Sequence, residues 1–153
     1  VVDVVQEKLD HALSLGADAA VNAASQDVPE AIREITKGGA QVSIEALGIA
    51  QTTNASVDCL ATLGRHVHVG MPAGDGMMEI NMRSIYSKQL AFYGTRGMPA
   101  WKYPSLLEMI ERGDVDLTPM LDREVTLTEA SAELRAMKGP TRPGTAVITD
   151  FSK

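Results

Sequence analysis

Short aliphatic runs alternate, one for one, with stretches of helical spacing along the whole chain. Val1-Val2-Asp3-Val4-Val5 leads into Leu9, Ala12, Leu13 and Leu15, which follow a helical period until Gly16. Ala19-Ala20-Val21 is the next run. Asp27 and Glu30 then make a capping box with Pro29 in the first turn, Ile32 and Ile35 form the buried face, and Gly38-Gly39 ends the helix. Val42 to Leu47 reads as a strand closed by Gly48, and a helix from Thr53 to Leu63 stops at Gly64. Arg65 to Gly70 alternates polar and apolar residues. Beyond a Gly- and Met-rich loop (Met71 to Met78), a helix near Met82 to Lys88 precedes a strand from Leu90 to Gly94. Pro104 opens a helix with Leu106, Leu107, Met109 and Ile110 facing inward and Gly113 at its end. Thr126 and Glu129 form a second capping box for a helix carrying Ala130, Leu134 and Met137, and Gly144 to Ile148 is the last strand. Such alternation leaves one economical solution: βαβ units, a mostly parallel sheet and right-handed crossovers. The expected fold class is α/β, a doubly wound parallel sheet.

The chain has 153 residues, 44% of them hydrophobic, enough for one ordinary core, so residues 1–153 are expected to form a single domain. A net charge of −6 argues against nucleic acid or an anionic membrane surface as partner. No run reaches the roughly 18 apolar residues of a membrane helix. The lone Cys59 excludes an internal disulfide framework and a multi-cysteine zinc knuckle, and the cytoplasm is the expected compartment. With 4% aromatic residues and eight methionines, the core is expected to be aliphatic and soft.

Asp3 is the first candidate for function. A carboxylate near the end of a buried parallel strand that runs into a helix is where dinucleotide-binding folds hold the adenosine ribose. The alternative is an N-cap for the following helix, since Asp is a favoured cap. The glycine-rich phosphate loop that usually stands about 20 residues earlier would precede Val1, so the sheet is expected to lack its first strand. In strand order 3-2-1-4-5-6 that strand is central, and its absence would leave unpaired edges on the runs at Val1–Val5 and Val42–Leu47.

The order of motifs resembles the medium-chain zinc-dependent alcohol dehydrogenases. The resemblance rests on Val2-Asp3-Val4-Val5-Gln6-Glu7-Lys8-Leu9, Leu15-Gly16-Ala17-Asp18, Glu45-Ala46-Leu47-Gly48 and Val69-Gly70-Met71-Pro72. Gly94-Thr95-Arg96-Gly97 and the closing Pro143-Gly144-Thr145-Ala146-Val147-Ile148 extend it to the end of the chain. It implies a partial Rossmann-type NAD(P)-binding domain, incomplete at its N-terminus and without the N-terminal catalytic domain. It also implies NAD as cofactor, hydride transfer between an alcohol and the coenzyme, and a homo-oligomer, dimer or tetramer. The alcohol or aldehyde would bind through the missing domain, and this portion alone would be inactive. Zinc would serve the parent enzyme; this chain has one cysteine where the structural zinc lobe needs four, and no ligand is carried over.

By the same resemblance, Asp3 and Lys8 would meet the ribose, Leu47 and Gly48 would wall the adenine side, and Val69, Gly70 and Met71 would end a ligand-facing strand. Backbone groups at Val69, Thr95 and Gly97 would hold the nicotinamide carboxamide, and Arg142 would approach the pyrophosphate. Arg96 is a further phosphate candidate or a surface residue. His66 and His68 share one strand face; with no third ligand evident, they read as surface histidines. Cys59 reads as a small core residue, and Trp101 and Tyr103 as packing for the loop before a helix. Tyr86-Ser87-Lys88 has the wrong spacing for the short-chain dehydrogenase pair, and no nucleophile elbow, P-loop or His-Glu-x-x-His occurs. Rival readings are a zinc-free quinone reductase of the same superfamily, a non-catalytic nucleotide-binding or dimerisation module pairing through Leu90–Gly94, and a methyltransferase.

Overall fold

The computed structural model describes residues 1–137, 139 and 144–152. In chain order the elements are β1 (Val2–Asp3), α1 (Gln6–Ser14), β2 (Val21–Asn22), α2 (Val28–Thr36), β3 (Ala40–Glu45), α3 (Ala50–Asp58), β4 (Leu60–His68) and α4 (Met82–Ser87). They continue with β5 (Ala91–Gly94), α5 (Tyr103–Glu111), β6 (Leu121–Thr126), α6 (Ala130–Ala136) and β7 (Thr145–Asp150). Every strand pairing among the described residues is parallel, as the alternation of strand and helix demands. The class is α/β. Among the described residues no helix is long and apolar enough to cross a membrane. Contacts gather the chain into two units: Val1–Val4 with Ala19–Gly97, and Val5–Asp18 with Met98–Lys153.

In the first unit β1 pairs with β2, and β3, β4 and β5 form a three-stranded sheet in that order. Helix α2 starts where the capping pattern predicts, with Asp27 accepting from the Glu30 N–H at 2.9 Å. Its end differs from expectation. Lys37 itself takes the left-handed position at φ 55°, and Gly39 is required for another reason: a Cβ there would stand 2.5 Å from the Ala61 nitrogen. Ile32 is only half-buried and Ile35 is exposed, so α2 lacks the buried face read from its sequence.

The larger correction concerns residues 59–64. The expected helix to Leu63 stops at Asp58, and the chain turns at Cys59 straight into β4. Ala40 pairs with Leu60 but Val42 pairs with Arg65, so the extra residues of β4 bulge outward. Leu63 occupies that bulge at φ 63°, its N–H held by the Lys88 carbonyl at 2.7 Å. A short apolar run reads equally as helix or strand until its neighbour is known. Cys59 is nevertheless a small core residue, buried with Val21, Val57 and Leu60.

In the second unit, α1 ends as predicted, with Gly16 at φ 99° just beyond the C-cap Leu15. Pro104 lies in the first turn of α5. Leu106 and Ile110, four apart, share its half-buried stripe, whereas Leu107 and Met109 point elsewhere and are exposed. Trp101 does not pack the loop; it is 75% exposed, with the Lys102 ammonium 5.3 Å from its ring centroid. Tyr103 is likewise exposed. Strand β6, unpredicted from sequence, pairs with β7, and Arg123 bridges Asp122 to Glu133 of α6. Glu129 reaches back to the Thr126 N–H at 2.8 Å, half of the expected capping box, before α6 begins at Ala130.

Candidate functional site

Register aligns the carboxyl ends of three strands. Glu45 of β3 sits opposite His68 of β4, and His68 opposite Gly94 of β5. The segments beyond them therefore leave the sheet side by side, in the place where open α/β sheets bind ligands. These segments carry Leu47 and Gly48, then Val69, Gly70 and Met71, then Thr95 and Gly97, so seven sequence-derived candidates meet at one sheet end. Leu47, Val69, Met71, Thr95 and Gly97 are exposed there, while Gly48 and Gly70 are buried.

The two buried glycines are needed by the protein itself. Gly48 lies at φ 87°, and a Cβ on it would come 2.0 Å from the Met71 carbonyl oxygen. A Cβ on Gly70 would come 2.2 Å from the Gly48 nitrogen and 2.6 Å from the Glu45 carboxylate. The turns after β3 and β4 thus pack main chain on main chain. The Val69 N–H donates to the Glu45 carbonyl at 2.7 Å and the Thr95 N–H to the His68 carbonyl at 3.0 Å. Both amides serve the sheet.

Glu45 was not singled out by the sequence, although its carboxylate is the electrostatic centre of this end. Its side chain is 2% exposed. Burial pushes its carboxyl pKa up, but the Thr52 hydroxyl, the Gly48 and Leu47 amides and nearby His68 outweigh burial and hold it below the usual carboxylate range. The sequence signal was a carboxylate two residues before Leu47-Gly48 with a threonine seven residues on.

His66 and His68 are not surface residues. His66 is fully buried, and the His68 side chain is 12% exposed. Both point to the face covered by α3, where Ser43 and Ser56 hydroxyls approach His66 Nδ1 at 3.3 and 3.1 Å. His68 Nδ1 stands 3.4 Å from Glu45 Oε2, out of line for a hydrogen bond. The apolar partners in the β3 alternation, Val42 and Ile44, face outward instead. Burial holds the His66 pKa down, neighbouring His68 adds to this, and Glu45 opposes it. A lowered folded-state value means that the unfolded chain takes up the proton first, so stability should fall as pH drops below about 6.5. Urea midpoints between pH 8 and pH 5 should therefore decline more steeply for the natural chain than for His66→Gln. Parallel slopes would refute a buried neutral His66.

Asp3 closes β1, half-buried, with its Oδ1 accepting from the Val4 N–H at 2.7 Å. It is not the cap of α1: the N-cap is Val5, with no side-chain capping bond. Lys8 is half-buried on α1, in the second unit. Arg96 is exposed, and Arg142 lies outside the described residues. Burial pushes the Cys59 thiol up, which keeps it a protonated core group. Among the described residues, no three His, Cys, Asp or Glu side chains converge as metal ligands.

Comparison with known proteins matches this framework. A family model described as zinc-binding dehydrogenase covers residues 1–112. The D-arabitol-phosphate dehydrogenase of Enterococcus avium is 27% identical over 123 residues, which is 80% of this chain and 35% of that protein. An NAD-dependent alcohol dehydrogenase of Sulfurisphaera tokodaii is 31% identical over 131 residues, 85% of this chain and 37% of its own length. The crystal structure of benzyl alcohol dehydrogenase from Acinetobacter calcoaceticus superposes with a TM-score of 0.82 at 26% identity, covering 97% of this chain and 42% of that one. The chain spans well under half the length of each.

Proposed function

The chain belongs to the zinc-binding dehydrogenase family, and from that premise we propose that residues 1–153 serve as one NAD-binding domain of an alcohol dehydrogenase. The activity would be hydride transfer between an alcohol and the coenzyme. The observation that carries this reading is the row of strand ends at Glu45, His68 and Gly94, with exposed main chain beyond each. Asp3 would accept from the ribose hydroxyls, and Lys8 is a second candidate for the ribose. Leu47 and Gly48 would face the adenine side, and the carbonyls of Val69 and Thr95, together with Gly97, would meet the carboxamide. Gly97 suits this part, since nothing lies within 4 Å of where its Cβ would be. Gly70 and Met71 would support that wall, and Arg142 would approach the pyrophosphate.

Bound nicotinamide supplies the hydride acceptor; the chain's own residues bind and orient it. Catalysis would fall to residues outside this stretch, so 1–153 alone would be inactive. Among the described residues no three His, Cys, Asp or Glu side chains gather, so no zinc ligand is proposed. Glu45 and His68 stand 3.4 Å apart, and neighbouring His66 is committed to two serine hydroxyls. The substrate would be a small alcohol or aldehyde and the setting cytoplasmic. Strand β5 is an end strand of its sheet with Tyr93 exposed, an edge that favours a homo-oligomer.

Titration of the chain with NADH, followed by the fluorescence of the reduced nicotinamide, tests the proposal. Saturable binding that NAD displaces and NADPH displaces less well is expected. Absence of saturable binding would overturn it.

A further inference from the structure

We infer that Glu45 is the positioning residue of this site, its buried carboxylate setting the turn after β3 on which the turn after β4 packs; this rests on the coenzyme reading above. Oε1 accepts from the Leu47 N–H at 2.9 Å, the Gly48 N–H at 2.9 Å and the Thr52 hydroxyl at 2.7 Å, and Oε2 accepts from Gly48 again at 3.0 Å. The Glu45 carbonyl accepts from Val69 at 2.7 Å and from Gly70 at 3.0 Å. The turn after β4 is tied back once more, because the Ala73 N–H donates to the Gly48 carbonyl at 3.2 Å.

These bonds form a closed circuit. The carboxylate curls the chain after β3 so that Gly48 meets the Met71 carbonyl, and the carbonyl of the same residue pulls Val69 and Gly70 onto that turn. Gly70 in turn must be glycine because a Cβ there would meet the Gly48 nitrogen at 2.2 Å and the carboxylate at 2.6 Å. Leu47, Gly48, Val69, Gly70 and Met71 thus share one anchor. A buried carboxylate is tolerated only when donors replace its water, and here every donor comes from the turns or from Thr52 at the start of α3. The charge is placed to shape the turns.

Glu45→Ala and Glu45→Gln in the 153-residue chain separate positioning from bulk stability. Gln keeps the shape and one oxygen for Leu47, Gly48 and Thr52, so it should recover most of what Ala loses. Two readouts are needed: amide hydrogen exchange at Leu47, Gly48, Val69 and Gly70 against β6 and β7, and the dissociation constant for NADH. Glu45→Ala is expected to raise exchange at the Leu47 and Gly48 amides at least tenfold, with a smaller rise at Val69 and Gly70, whose bonds to the residue-45 carbonyl remain; it should leave β6 and β7 unchanged and weaken NADH at least tenfold, with Glu45→Gln between it and the natural chain.

Unchanged exchange at Leu47 and Gly48 would overturn the inference. So would raised exchange with undiminished NADH affinity, or a uniform rise at all amides in the Gln variant. If Glu45→Ala does not fold, the Gln variant decides by the same criteria. Should the natural chain fail to bind NADH, the coenzyme reading falls, and localised exchange in the variants still decides whether Glu45 holds the turns.

Discussion

Gly48→Ala is expected to lower the stability of this chain by about 3 kcal/mol, combining left-handed strain with overpacking of a filled site. At φ 87° an added Cβ is strained even in open space, and here it would meet the Met71 carbonyl oxygen at 2.0 Å. That oxygen is main chain and cannot swing aside as a side chain would. Relief requires moving the turn after β4, which breaks the Ala73 bond to Gly48 and the contact of Gly70 with Glu45. Gly16→Ala is the internal comparison. Its φ is 99°, but nothing lies within 4 Å, so only the strain of roughly 1 kcal/mol remains. The midpoint of thermal unfolding followed by circular dichroism should drop by roughly 6–12 °C for Gly48→Ala. Equal drops for the two variants would show that backbone contact contributes nothing at Gly48.

Asp3→Asn is expected to weaken NADH binding by about 1–3 kcal/mol, through loss of charge-assisted hydrogen bonds to the ribose hydroxyls. Asn keeps a side-chain oxygen for the Val4 N–H, which Asp3 now holds at 2.7 Å, so β1 should remain in place. The same change removes a carboxylate that would repel a 2′-phosphate, so the preference for NADH over NADPH should narrow. Fluorescence titration with both coenzymes reads the two effects together. An unaltered NADH dissociation constant in a folded variant would remove Asp3 from the site.

The periodic features of the chain were readable directly. Asp27 three residues before Glu30, Pro104 in a first turn, Gly16 and Gly113 just beyond helix ends and the alternation of Arg65 to Gly70 all act within a few residues, and each stands where its local chemistry puts it. The strand ends at β3, β4 and β5 were legible too, because a strand followed by glycine is a local signal. What failed was long-range. Leu60 to Leu63 satisfies a helical period, but Leu60 is claimed by Ala40 of β3 across the sheet. Strand β6 exists because β7 pairs with it from more than 20 residues away.

The histidine strand marks the boundary most clearly. Alternation alone set His66 and His68 on one face of β4, and that face they share. Which face was buried depended on the neighbours: Ser43 and Glu45 in register on β3, and Ser56 and Thr52 brought over by α3. Hydrogen-bond partners from separate segments made burial of polar residues tolerable, leaving Val42 and Ile44 outward. Glu45 was invisible as an anchor for the same reason, since half of what it holds arrives from β4. Backbone period and capping are properties of neighbours in sequence, and a chain states them openly. Burial, strand pairing and the compensation of a buried charge are properties of neighbours in space, and they exist only once the fold has brought those neighbours together.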